Sequence, residues 1–167
     1  MTALLNRKSL TLAGVLLGCS LGLSSFNLLN HGPANAQTAA DAEAAITKMV
    51  QGQGTYRKKH RRFTASVATL KKAFGIPTVP GYNVAIRTTR NGAFHHYVPR
   101  DPNQTAFVGA TFLESTPGNT TETVLIVCEA QDARSVRAAE PSYVRGFMKC
   151  AYNTTERFKV TAEERGL

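Results

Sequence analysis

The sequence predicts an α+β domain in which an N-terminal α-helix packs on an antiparallel sheet of four or more strands. Two observations carry this expectation. Apolar residues recur at helical spacing between positions 42 and 56, and after Pro80 the pattern changes to short segments of period two separated by turn residues. A helix followed by a run of hairpin-linked strands places that helix on one face of the sheet. A third observation sets the limits of the domain: residues 1–36 read as a secretory signal peptide, leaving residues 37–167 as one globular unit.

The chain opens MTALLNRKS, with Arg7 and Lys8 and no acid, and an apolar stretch fills residues 10–29. Ala34-Asn35-Ala36 supplies small residues where a signal peptidase requires them, so cleavage is expected between Ala36 and Gln37. Two alternatives use the same stretch. A retained anchor would need it to span a bilayer, for which it is nearly long enough, although Ser20, Ser24, Ser25 and Asn27 weaken it. Lipidation at Cys19 would use the Leu-Leu-Gly-Cys run that ends there, but the segment beyond Cys19 stays apolar where a lipoprotein has a polar tether. On the favoured reading the product is exported, to the periplasm or beyond the cell.

In the exported part, Thr38 as N-cap with Asp41 three residues on fits a capping-box variant. Ala42, Ala45, Ile46, Met49 and Tyr56 then form one apolar stripe. Gly52 and Gly54 interrupt it at about 1 kcal/mol each against Ala, so a weak, kinked second half is expected. A short second helix follows in residues 63–77, capped by Thr64 or Ser66, carrying Val67, Leu70 and Phe74 and ended by Gly75 and Pro77. Strands are expected over residues 82–90, 93–98, 105–114 and 121–130, the first two joined by an Asn91-Gly92 hairpin turn. The run Val124-Leu125-Ile126-Val127 marks a central strand or one covered on both faces. Beyond Gln131 the pattern is poor, and one or two short strands are expected between residues 142 and 160. Two cysteines remain after cleavage, Cys128 and Cys150; under oxidising conditions an even pair reads first as a disulfide, and two separate buried thiols are the alternative.

Several of these segments together resemble a known family. They are Tyr56, Phe63, Ser66 and Leu70, then G-Y-N-V-A-I (residues 81–86), F-V-G-A-T-F (107–112) and L-I-V-C-E (125–129). The chain between residues 42 and 129 is similar to the type IV pilin-like G/H family, a group associated mainly with cyanobacteria. The resemblance implies a pilin-head-like fold, often closed by a C-terminal disulfide loop. It further implies no enzyme activity and a place among pilus, pseudopilus or secretion-apparatus components, whose other pilin-like proteins would be the partners. In one respect the chain departs from a pilin precursor. It has no G-F-T-L-I-E-like cut site and no Asp or Glu in residues 1–36, so the product resembles a pilin head without its apolar spine.

Candidate chemistry is sparse. His95 and His96 fall on a strand and must point to opposite faces, so they cannot converge on a metal or a proton; one half-buried and one solvated ring are expected. No G-x-S-x-G and no phosphate-binding glycine loop occurs, and no cofactor or metal is implied. Charge is the remaining signal. Removing Arg7 and Lys8 with the signal leaves 18 Lys and Arg against 11 acids, a net charge of +7 that favours anionic partners. Five cations concentrate in YRKKHRRF: Arg57, Lys58, Lys59, Arg61 and Arg62, bracketed by Tyr56 and Phe63. One reading is a solvated helix end whose macrodipole offsets the crowding of like charges. The other is a contact surface for an anionic polymer, DNA or polysaccharide, which would make the protein an exported polyanion-binding module.

Overall fold

The computed structural model describes residues 32–116, 120–134 and 136–161. Most of the signal segment, with Cys19, lies outside the described residues, and the expected cut after Ala36 falls within the first helix. That helix, α1 (Gly32–His60), begins earlier than expected, so Thr38 lies inside it rather than at its N-cap. The alanine-rich run around Thr38 propagates a helix, and Pro33 sits in the first turn, where its missing N–H leaves no bond unmade. Ala42, Ala45, Ile46 and Met49 of the expected stripe are fully buried and Tyr56 is partly so; Val50, outside that stripe, is fully buried as well.

The two glycines do not interrupt the helix: α1 runs unbroken through Gly52 and Gly54. These glycines serve close approach instead. A Cβ on Gly52 would lie 2.7 Å from Phe74 Cδ2, and one on Gly54 would lie 3.0 Å from Thr123 Oγ1. The sheet reciprocates at Gly109, where a Cβ would meet Val50 Cγ1 at 2.5 Å. The second helix, α2 (Val67–Phe74), is capped as predicted: Ser66 Oγ accepts from the Thr69 N–H at 3.1 Å, and Gly75 ends it with φ of 60°.

The strands are β1 (Tyr82–Thr88), β2 (Gly92–Pro99), β3 (Phe107–Thr116), β4 (Thr120–Ala130), β5 (Ser142–Val144), β6 (Phe147–Lys149) and β7 (Thr154–Val160). Five form one antiparallel sheet in the order β1-β2-β3-β4-β7, while β5 and β6 form a separate hairpin. The β1–β2 connection comes where the Asn-Gly signal placed it, but for another reason. Neither Asn91 nor Gly92 has positive φ, and Gly92 already pairs with Phe112 in β3. Its bare Cα is needed because a Cβ would lie 3.0 Å from the Thr111 carbonyl.

Register sorts the sheet into two buried faces. Tyr97, Phe107, Leu125 and Val127 join α1, Leu70 of α2, Ile76 and Val79 in one core. Phe94, Val108, Ala110, Phe112, Val124 and Ile126 form a second core on the opposite face, closed by Ala138 and Met148 and flanked by Tyr143. This outer layer comes from the segment between β4 and β7, which the Cys128–Cys150 disulfide ties back to the sheet. It corrects the expectation for the histidines: His95 and His96 point to opposite faces as predicted, but both are fully buried, because both faces are covered.

Candidate functional site

The basic run occupies the last turn of α1 and the two residues after it. Arg57, Lys58, Lys59 and His60 are helical, and the positive charge of the first three lies at the helix end with its unpaired carbonyls. Arg61 has a φ of 60°, and its N–H bonds the Arg57 carbonyl at 2.9 Å, closing the helix. This left-handed position is where glycine is favoured, because a Cβ crowds the following carbonyl there.

The cations do not behave as one patch. Arg57 is half-buried, and its guanidinium lies 5.8 Å above the Phe63 ring. Lys58 pairs with Glu122 of β4 at 3.2 Å. His60 stacks on Tyr56 with ring centroids 4.2 Å apart, while Lys59, Arg61 and Arg62 are exposed. Tyr56 packs against the helix-side core as expected; Phe63 is half-buried under Arg57 instead. Arg57, Lys58 and Arg61 line a groove of about 440 Å³, closed on the other side by Leu113, Thr121, Glu122 and Thr123 at the ends of β3 and β4. The sequence brought the five cations together; the division into groove-lining and outward-facing members comes from the packing of α1 against β4.

A second polar cluster was not found by sequence reasoning. Glu140, in the outer layer, accepts from Arg87 Nε at 2.9 Å and pairs also with Arg87 Nη2. His96 Nε2 stands 3.1 Å from Glu140 Oε1 and must donate, since an ionised carboxylate only accepts. The Arg87 hydrogen bond holds the Glu140 carboxyl below its usual range, and burial followed by repulsion from Arg137 holds the His96 imidazole below its own. The cluster reads as a clasp that pins the outer layer to β1 and β2. Its partners lie 44 and 53 residues apart in the chain, so no local pattern points to it.

His95 differs. It faces α1, and neither ring nitrogen has a hydrogen-bond partner; burial depresses its pKa to about 3, so the ring is neutral. Among the described residues no group of three or more His, Cys, Asp or Glu side chains converges to hold a metal ion. Nor is any described helix long and apolar enough to cross a membrane.

A single long helix laid on an antiparallel sheet, with a disulfide-bounded C-terminal segment over the other face, is the layout of a pilin-like head domain. The model of the type IV pilin-like G and H family matches residues 39–151, and the chain belongs to that family. No curated protein and no solved structure matches it.

Proposed function

We propose that this is an exported pilin-like protein with a structural or interaction role in a type IV pilus, pseudopilus or secretion apparatus, and that it carries out no chemistry of its own. The observation behind this reading is the family match over residues 39–151, together with a helix-on-sheet head. Its partners are other pilin-like or apparatus proteins, met in the periplasm or outside the cell.

Export with cleavage between Ala36 and Gln37 is compatible with this fold. The fully buried side chains described for α1, Ala42, Ala45, Ile46, Met49 and Val50, all lie beyond the expected cut. Intact mass of the exported protein tests this directly: the expected product starts at Gln37 and carries the Cys128–Cys150 bond, whereas a lipid on Cys19 or an uncut chain refutes cleavage. The role itself is tested in cells lacking the chain. Loss of surface pili or of secretion, restored by the intact protein, is the expected outcome; unchanged pili and secretion would sink the proposal.

A second reading is favoured by the groove at the basic helix end: the domain binds an anionic polymer there.

A further inference from the structure

We infer that the groove between the end of α1 and the ends of β3 and β4 is a built binding site for an acidic polysaccharide, with Arg57 and Arg61 as its anion-binding forks. The inference rests on the second reading above and narrows it from a diffuse basic rim to two named guanidinium groups in a concave site.

Three observations carry it. First, the groove selects among the cations: Arg57 and Arg61 line it with Lys58, whereas Lys59 and Arg62 do not. Second, Arg61 occupies its position against the preference of the backbone. Its φ of 60° calls for glycine, and a side chain there adds strain without joining either core. An outlier of this kind points to use of the side chain. Third, the acid in the groove is paired: Glu122 lies 3.2 Å from Lys58, so these two charges offset each other and the net positive charge of the lining comes from the two arginines. Arg57 is further held over the Phe63 ring, which limits the freedom it loses on binding.

The shape and chemistry of the lining choose the ligand. A groove of about 440 Å³ is large enough for one sugar ring and its neighbours. Thr121 is exposed and offers a hydroxyl that can both donate to and accept from a sugar hydroxyl, whereas the Thr123 hydroxyl is buried; the guanidinium forks match a carboxylate two bonds at a time. A DNA duplex is convex and presents its phosphates on ridges, so it would touch the outward-facing Lys59 and Arg62 at least as readily as the groove.

The test measures retention of polygalacturonate, a uronic-acid polymer, and of a short DNA duplex by the exported protein at matched ionic strength. Arg61→Gly is the central variant: it removes the fork and relieves the backbone together. It is expected to weaken polygalacturonate binding by at least about tenfold with no fall in thermal midpoint. Arg57→Gln is expected to weaken binding similarly. Lys59→Gln with Arg62→Gln is expected to change it by less than about twofold, since rim charges act mainly through long-range attraction. Equal losses in all variants, or tighter binding of the duplex, would overturn the site while leaving a polyanion-binding role in place. No retention of either polymer by the unaltered chain would overturn both, and neither outcome touches the pilus or secretion role.

Discussion

The two faces of the central sheet are held by different physics. On the helix face, α1 supplies a continuous stripe from Ala42 to Val50 that docks on Tyr97, Phe107, Leu125 and Val127, with Gly109 opened to let Val50 and Ile46 in. On the outer face the cover contains one small hairpin, β5–β6, with strands of three residues each. That layer packs Ala138, Met148 and Tyr143 on the sheet and adds ties beyond packing, among them the Cys128–Cys150 bond and the Glu140 clasp to Arg87 and His96. The contrast teaches that a layer with a periodic apolar face holds itself by packing, whereas an irregular layer needs covalent and ionic ties.

Breaking the helix face gives the largest expected effect. Ile46→Ala removes a fully buried side chain from a site where Gly109 leaves no slack, and it is expected to cost about 2–5 kcal/mol in the denaturant midpoint analysis. The protein should then unfold as a whole, because α1 contributes to every row of the helix-side core.

Replacing Cys128 and Cys150 together by Ser breaks the outer face. The chain-entropy cost for a bond with a sequence separation of 22 is about 3 kcal/mol. Here the effect should be uneven: hydrogen exchange should rise most in the outer layer and least in α1. Uniform acceleration across both would remove the distinction drawn above.

A third test, with an effect of the same order as the disulfide's, sharpens the comparison through pH. His95 is buried without a partner on the helix face, and its folded pKa of about 3 lies below the ordinary value of 6.5. Below that ordinary value the unfolded chain takes up a proton that the folded chain refuses, so stability falls as pH drops and the loss continues to about pH 3. The slope is about 1.4 kcal/mol per pH unit for one proton. His95→Leu should flatten the acid side of the stability profile, measured by urea titrations between neutral pH and pH 4. An unchanged slope would show that His95 reaches solvent or a partner in solution. The outer-face His96 and Glu140 are both held low and continue to titrate in that variant, which gives the remaining slope an assignment.

What was legible in the sequence is what local pattern determines. The α1 stripe, the Ser66 cap, the Gly75 stop and the four strands from β1 to β4 fall where period and turn residues placed them. Gly52 and Gly54 were misread because a glycine looks the same whether it breaks a helix or admits a neighbour; Phe74 and Thr123 decide which, and both come from distant segments. The basic run was legible as a cluster. The sequence did not show that Lys58 would pair with Glu122 or that Arg57 and Arg61 would line a groove with them.

By itself, then, the sequence determined the helix-then-sheet order, the kinship with pilin-like proteins and the concentration of positive charge at one helix end, because each depends on residues close together in the chain. The tertiary structure alone decided that both sheet faces are covered, that His95 and His96 are buried, and that Arg57 and Arg61 share one concave site. These depend on which distant segments meet, and a short strand or a lone Glu140 gains its meaning only from what it packs against.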